Sequence, residues 1–461
     1  MTRTPGRGRC HDGPVVVPDP TRDPLVALAR RHLWPPYTSP ERHQEHDPLV
    51  IVDADGPWLL DAGGGRYLDG ISSWWTCTLG HRHPRLLAAL AAQAARLDHV
   101  GAGGAIHPAV AHLAAELCAV APAGLERAFF SDDGSTAVEV AVKIAFQYWQ
   151  QHGRPARQRF LALSSAYHGD TLGAVSLAGA EAGGFFTVFA PLLFEVARAP
   201  AADGGDADGC VAGWDRVAAA IEDRLARDGD SIAGVIVEPL VQGAGGMRTY
   251  PAEVLRRIAD ATRRADSFLI ADEVFTGYGR TGAMWACDLA GVAPDLLCTA
   301  KGFTAGMLPM AATLATARIY DGFRAAPDGA PRTFMHGHSF SGHPLGAAVA
   351  REVLAIYRDE RIVDGVAARA VRLSAALARA AALPGVRRPR QLGLIGAVDL
   401  GDGGYGGGGG PRFTDAARRR GLYLRPLGDT AYVCPPLNIP IADLDLLLDG
   451  FVDAVAECAA P

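Results

Sequence analysis

What this 461-residue sequence lacks already limits what it can be. It has no uninterrupted apolar run of the roughly 18 residues that a bilayer-spanning helix needs, so no membrane span is expected. The stretch before Val50 shows no charged-then-apolar signal pattern. The eight cysteines are scattered and form no C-x-x-C pair. That argues against a disulfide framework or a zinc ribbon and for reduced thiols in a cytoplasmic protein. Basic residues are not in excess: 44 Lys and Arg stand against 50 Asp and Glu, a net charge of −6, which leaves no footprint for nucleic acid and no polybasic membrane patch. No internal repeat is present. Lysine is scarce beside arginine, while alanine and glycine abound, a bias of GC-rich coding rather than of function.

The bulk composition is that of a globular chain, long enough for two or three domains. Residues 1–24, rich in Pro, Gly, Arg and Asp, are expected to be a mobile tail. A short helix over about Leu25–His32 leads to Trp34 and Tyr37 on a proline-stiffened loop. These aromatics either pin the N-terminus to the body or face a ligand. Residues 49–70 alternate short apolar runs with Asp-Gly and Gly-Gly turns, the pattern of a small antiparallel meander. Trp74 and Trp75 end it. As strand residues they would point to opposite faces, and a tryptophan beside a polar partner suits the wall of a flat or apolar ligand site.

From Pro84 helices and strands alternate, with near-continuous apolar strands, which predicts a mainly parallel sheet covered on both faces. The sequence SDDGSTAVEVAVKIA predicts a strand, a small-polar turn and an amphipathic helix, with Thr136 and Glu139 at capping-box spacing. A helix start of this kind offers N–H groups to an anion from Gly134 and Ser135, although many helices begin this way for capping alone. Tyr167 and His168 follow the strand 160–163. Residues 200–214 read as a loop. Glu238 ends the strand of GVIVEP. Asp272 and Glu273 end the strand of SFLIADE, and burying such carboxylates implies a cation close by. The next strand leads to Lys301, whose neighbours Gly302, Ala305 and Gly306 leave room for something large. That lysine reads either as a solvated strand-end charge or as an imine-forming amine made easier to deprotonate by desolvation. His336, His338 and His343 share a loop without metal-ligand spacing, so no metal is expected. The run GDGGYGGGGGP (401–411) has no lysine and no strand–helix context, and is expected to be a flexible loop. The stretch 421–437 reads as a strand pair. It carries Arg425, which the following proline orients either towards a carboxylate or into a surface salt bridge.

Gly134, Ser135, Tyr167, Asp272 and Lys301 together make the set needed to hold pyridoxal phosphate (PLP). The helix N-terminus takes the phosphate, the aromatic covers the ring, the carboxylate keeps the pyridine nitrogen protonated, and the lysine forms the imine. The stretches IADEVFTGYGRTG, TAKGFTAG, AYHGDTLGAVS and SDDGSTAVEVAVKIA resemble the class III aminotransferases of PLP fold type I, from about residue 28 onward. LWPPYTSP, SSWW and YLRPLGD are similar to the 7,8-diaminopelargonate synthase branch.

The resemblance implies an α/β fold with a large PLP-binding domain (84–345) and a smaller α/β domain built from both chain ends (25–83 and 346–461). It makes Lys301 the Schiff-base lysine, Asp272 the pyridinium partner and Tyr167 the ring-stacking tyrosine, with Gly134 and Ser135 as the phosphate cradle. Ser339 would reach a neighbouring subunit's phosphate in a homodimer, and Gln242 would lie near the cofactor's 3-oxygen. Tyr37, counted with Lys301 and Asp272 among the catalytic residues, would also line the substrate pocket with Trp74, Trp75, Tyr167, Gly337 and Tyr432. Arg425 would anchor the keto-acid carboxylate, with Arg280 as a further pocket arginine and Glu238 as a buried structural acid. The implied reaction turns 8-amino-7-oxononanoate into 7,8-diaminononanoate with S-adenosylmethionine as amino donor. Lysine is the rival donor: His338-Ser339 resembles the lysine-using branch, whereas the tandem tryptophans resemble the S-adenosylmethionine branch. A general ω-amine:pyruvate transaminase is the other reading. Asp133 stands where a serine is common, an acid beside the cradle.

Overall fold

Runs of Val, Ile, Leu and Ala with few polar breaks form the largest sheet, because strands buried on both faces need no alternation. The computed structural model describes residues 24–178, 186–202, 207–404 and 407–459, so the expected tail lies outside the described residues except for Pro24. The seven strands run in the spatial order Leu125–Ser131, Ala311–Thr316, Leu296–Thr299, Phe268–Asp272, Ile232–Val237, Arg159–Ala162 and Val196–Arg198. Six of them point the same way, and Ala311–Thr316 runs against both of its neighbours. Opposite partners such as Asp272 and Cys298, or Ala271 and Val237, bring several strand ends to one edge. Ligands of open α/β sheets bind outside such an edge.

Both faces are covered. The helix Gly134–Gln151 buries Ala137, Ala141, Ile144 and Ala145 against one face. The helices Ala207–Asp228 and Ala252–Arg264 cover the other, packing Trp214, Ile221, Leu255 and Ile258. The former helix starts at Ala207, inside the stretch expected to be a loop; residues 203–206 lie outside the described residues.

The meander is present as Ile51–Asp55, Trp58–Asp61 and Arg66–Asp69, and Leu422–Tyr423 joins it in parallel. A third sheet holds Arg387–Leu392, Ile395–Asp399 and Thr430–Val433. The expected strand pair in 421–437 is therefore not a pair. The turn at Pro426 and Gly428 sends the two strands into different sheets.

Other expectations change as well. The helix at 134 is capped by Asp133, not Thr136: the Asp133 carboxylate accepts the Thr136 N–H at 2.9 Å and the Thr136 hydroxyl accepts the Asp133 N–H at 3.1 Å. Glu139 instead accepts the Gly173 N–H at 2.8 Å. Trp34 does not pin the N-terminus, being 86% exposed. The glycine run is held on both sides of residues 405–406, which lie outside the described residues: Asp429 accepts the N–H groups of Gly403 and Gly409 at 3.0 and 2.8 Å, and a helix starts at Gly410. Among the described residues no helix is long and apolar enough to cross a membrane.

Candidate active site

The edge where the parallel strands end opens into a cavity of 610 Å³. Lys301, Asp272, Tyr167, Gly134, Ser135 and Trp75 all reach its wall. A larger chamber of 2110 Å³ continues outward, sharing Trp75, Tyr167, Asp170 and Lys301, and there Tyr37, Trp74, Arg425 and Tyr432 stand. Segments from residue 37 to residue 432 thus converge on one cleft.

Lys301 begins a short 3₁₀ turn, Lys301–Thr304, directly after its strand. Its φ of 47° is left-handed, a strained state for a side-chain-bearing residue. The ammonium lies 4.7 Å over the Trp75 ring and 5.9 Å from that of Phe275. Loss of solvation pushes the amine's pKa below the usual lysine range, against the pull of Asp272, Glu238 and Cys434. The small residues beside it are required by packing, and Gly306 also reaches the cavity wall. A Cβ on Gly302 would meet Tyr278 Cβ at 2.9 Å, and one on Gly306 would meet Cys77 Sγ at 2.6 Å.

Asp272 is buried, and its partner is a side chain that the sequence reading left unassigned. His168 Nδ1 lies 2.7 Å from Asp272 Oδ2, and Oδ1 accepts the Val274 N–H at 3.1 Å. The Nε2 of His168 is buried without a hydrogen-bond partner. The dipeptide Tyr167-His168 was the only signal in the sequence. The cation inferred for Glu273 is not its partner, since three donors from the backbone and Thr276 surround it instead. Glu238 is buried behind Tyr167, accepting the N–H groups of Tyr167 and Gly243 at 3.0 and 2.8 Å. Burial pushes its pKa up to about 7, with Asp272 adding to the rise and His168 opposing it.

Trp74 and Trp75 do not sit on a strand. Ser72, Ser73, Trp74 and Trp75 carry φ values of 49°, 43°, 66° and 74°, a left-handed turn of four side-chain-bearing residues. That geometry sends the neighbouring indoles to different tasks. Trp75 is buried, donating Nε1–H to the Tyr432 hydroxyl at 3.0 Å and packing 4.4 Å from Phe275. Trp74 turns to the outer chamber, where the Arg425 guanidinium lies 4.0 Å over its ring. The Tyr37 hydroxyl is 3.3 Å from that of Tyr167 and donates to Asp170. Burial raises the Tyr167 phenol well above its ordinary pKa, so Tyr167 stays a neutral wall.

Four expected residues are not brought to the wall. Gln242 is buried and donates to the Ser164 carbonyl at 3.0 Å. Arg280 is buried and donates to Pro435 O at 2.6 Å and to Ser72 Oγ at 3.3 Å, which ties the left-handed turn to the C-terminal segment. Gly337 and Ser339 are exposed on a loop away from the cavity of their own chain.

The donor set fits PLP. The N–H groups of Gly134 and Ser135 start an eighteen-residue helix and have no acceptor among the described residues. The hydroxyls of Ser135 and Thr171, 2.7 Å apart, stand beside them. A Cβ on Gly134 would strike Val274 at 2.6 Å, so this cradle requires glycine. Asp133 does not spoil it, because its carboxylate is committed to capping the helix. A buried carboxylate paired with histidine and a desolvated lysine complete the set.

The profile of the family described as Aminotransferase class-III matches residues 39–455. The chain is 40% identical over 453 residues to an adenosylmethionine-8-amino-7-oxononanoate aminotransferase of Geobacter sulfurreducens, covering 95% of this chain and 99% of the relative. The solved structure of the adenosylmethionine-8-amino-7-oxononanoate aminotransferase from Methanocaldococcus jannaschii superposes with a TM-score of 0.87 at 31% identity, covering 94% of this chain and 98% of that one. An omega transaminase from Pseudomonas jessenii in complex with PMP gives a TM-score of 0.87 at 29% identity, covering 95% and 98%.

Proposed function

Because this chain belongs to the class III aminotransferases, which are PLP-dependent enzymes, we propose that it transfers an amino group to 8-amino-7-oxononanoate, giving 7,8-diaminononanoate for biotin synthesis. We assign S-adenosylmethionine as the donor. The observation that carries this reading is the Trp74–Arg425 pair, which faces the cavity of Lys301 across one continuous chamber. Arg425 has no acidic partner among the described residues, so its guanidinium is available to a substrate carboxylate. The hydrocarbon chain of such a substrate would lie along Trp74, Tyr432 and Tyr37. Relatives named for this reaction support the assignment.

When bound, PLP supplies a carbonyl that exchanges with amines and a ring that withdraws electrons from the carbon bearing them. Gly134, Ser135 and Thr171 would hold its phosphate, and Tyr167 would cover its ring. Asp272, oriented by His168, would keep negative charge against the pyridine nitrogen. The Lys301 Nζ would take the proton from the donor's α-carbon and later return one at C7 of the acceptor. Burial of that amine favours the neutral form this requires. Donor and acceptor would use the cleft in turn, so ping-pong kinetics are expected.

We further infer a homodimer in the cytoplasm. Trp34, Ile106 and Met335 are large apolar residues exposed at 86%, 84% and 78%, a liability in a lone chain. Gly337 and Ser339, away from their own cleft, would complete a partner's. Light scattering in solution should report a dimer, and a monomer at working concentration would end this inference. The six cysteines the structure describes are free thiols, in keeping with a reducing compartment.

The deciding assay scans S-adenosylmethionine, lysine and simple ω-amines as donors with 8-amino-7-oxononanoate as acceptor. Failure to form diaminononanoate with any of them would overturn the reading. Lys301→Ala should lose both turnover and the covalent retention of cofactor after borohydride reduction. Retention mapped to Lys143, the chain's other lysine, would refute the Lys301 assignment.

A further inference from the structure

The Trp74–Arg425 pair hangs from one buried acid that stands outside the cleft. Asp69 ends the strand Arg66–Asp69 and is fully buried. A carboxylate in that position must be answered by donors. Its Oδ2 accepts the Ser73 hydroxyl at 2.8 Å and lies 2.8 Å from His81 Nε2, and its Oδ1 accepts the Ile71 N–H at 3.3 Å. His81 comes from a fixed point. Its N–H donates to Gly56 O at 2.7 Å, and its carbonyl accepts the Gly56 N–H at 3.2 Å. The two segments touch so closely that a Cβ on Gly80 would meet the Gly56 carbonyl at 2.9 Å. Asp69, Ser73 and His81 line neither the inner cavity nor the outer chamber.

Both members of the pair depend on that acid. Ser73 and Trp74 hold left-handed φ values of 43° and 66°, which neither residue type favours. Arg280 and the Cys434 carbonyl tie Ser72, on the inner side of the turn. The Ser73 hydroxyl is the tie next to Trp74. On the other side, Asp69 lies opposite Tyr423 in the parallel pairing with Leu422–Tyr423, and the Gly70 N–H donates to Tyr423 O at 3.2 Å. Arg425 follows two residues later. The indole and the guanidinium thus start from adjoining points of one sheet and meet 4.0 Å apart. We propose that Asp69, braced by His81 and acting through Ser73, is the positioning residue that seats Trp74 against Arg425 and so sets the affinity for a substrate carboxylate. It touches no reacting atom, since those lie in the inner cavity with Lys301. This rests on the proposed acceptor.

The test compares the holoenzyme with its Asp69→Asn and Ser73→Ala variants. Ser73→Ala removes one link and leaves the buried Asp69–His81 contact whole, which guards against an asparagine variant that fails to fold. The KM for 8-amino-7-oxononanoate should rise roughly tenfold in Asp69→Asn, the scale of one desolvated cation–π contact, and less in Ser73→Ala. The kcat should stay within about twofold, and the cofactor absorbance of the resting enzyme should not change. A merely structural loss would lower kcat and cofactor retention together. In a Trp74→Ala background, Asp69→Asn should add no further rise in KM. An equal rise there would place the action of Asp69 elsewhere and overturn the proposal. So would an unchanged KM in Asp69→Asn, or a crystal structure of the Ser73→Ala holoenzyme with Trp74 still seated on Arg425. A wild-type enzyme that fails to convert 8-amino-7-oxononanoate would instead sink the proposed acceptor, and the seating of Trp74 in that crystal structure would then decide this proposal by itself.

Discussion

Asp272 and Glu273 are neighbours on one strand, both carboxylic acids and both buried, and the protein treats them in opposite ways. Asp272 faces the cleft, with one oxygen on a histidine and the carboxylate open to whatever occupies the cavity. Glu273 faces away. It accepts the Thr276 hydroxyl at 2.6 Å and the Ala286 and Cys287 N–H groups at 3.0 and 2.8 Å, at the start of the helix Ala286–Ala290. Alternation along a strand puts successive side chains on opposite sides, so one dipeptide supplies both a functional acid and a structural one. A buried charge is tolerated only when its surroundings answer it. Around Glu273 the fold supplies three donors, whereas around Asp272 it leaves part of the answer to a ligand.

Three substitutions or titrations would sharpen or break that contrast. The largest effect is expected from Asp272→Asn. It should lower kcat/KM on the order of a thousandfold, equivalent to about 4 kcal/mol in the barrier, with the thermal midpoint of the apoenzyme nearly unchanged. A loss of apoenzyme stability comparable to that of Glu273→Gln would remove the distinction. Glu273→Gln turns an acceptor into a donor against three donors. It should destabilise the protein by about 2 kcal/mol in denaturant unfolding, while the folded fraction keeps its specific activity.

The smallest effect concerns pH. Burial raises Glu273 to about 7 in the fold, with Thr276, Cys287 and Ala286 opposing, and burial raises Glu238 to about 7 as well, both from an ordinary 4.5. An acid with a raised folded pKa gives stability that is fully present below the unfolded value and lost as pH rises through the folded one. The thermal midpoint of the apoenzyme should therefore fall between pH 4.5 and 7. That slope should flatten in Glu273→Gln, and an unchanged slope would mean that Glu273 stays ionised in the fold throughout.

What could be read from the chain follows from where the information lies. Strands such as GVIVEP and SFLIAD announce themselves because burial on both faces leaves a continuous apolar run, and their ends place Glu238, Asp272 and Lys301 automatically. His168 was not legible as the Asp272 partner, because their contact joins residues 104 apart and a lone histidine has no periodicity. The left-handed turn at Ser72–Trp75 was missed for another reason. None of its residues favours positive φ, and it is held by distant contacts such as Ser72 Oγ to Cys434 O at 2.8 Å. The glycine run looked featureless because its organiser, Asp429, lies outside it.

Lys301 sits in the connection between Leu296–Thr299 and Ala311–Thr316, which are antiparallel partners with Thr299 opposite Ala312. The lysine therefore rides on a hairpin tied at both ends to the middle of a sheet, not on a swinging loop. The strands on either side should exchange amide hydrogens only when the sheet itself opens. The reach needed to visit two carbon atoms in succession must come from rotation about the side chain's own methylene bonds. Those torsions belong to one side chain, so repositioning the base requires no movement of the backbone. Any slow conformational event belongs to the outer chamber and the substrates that exchange through it.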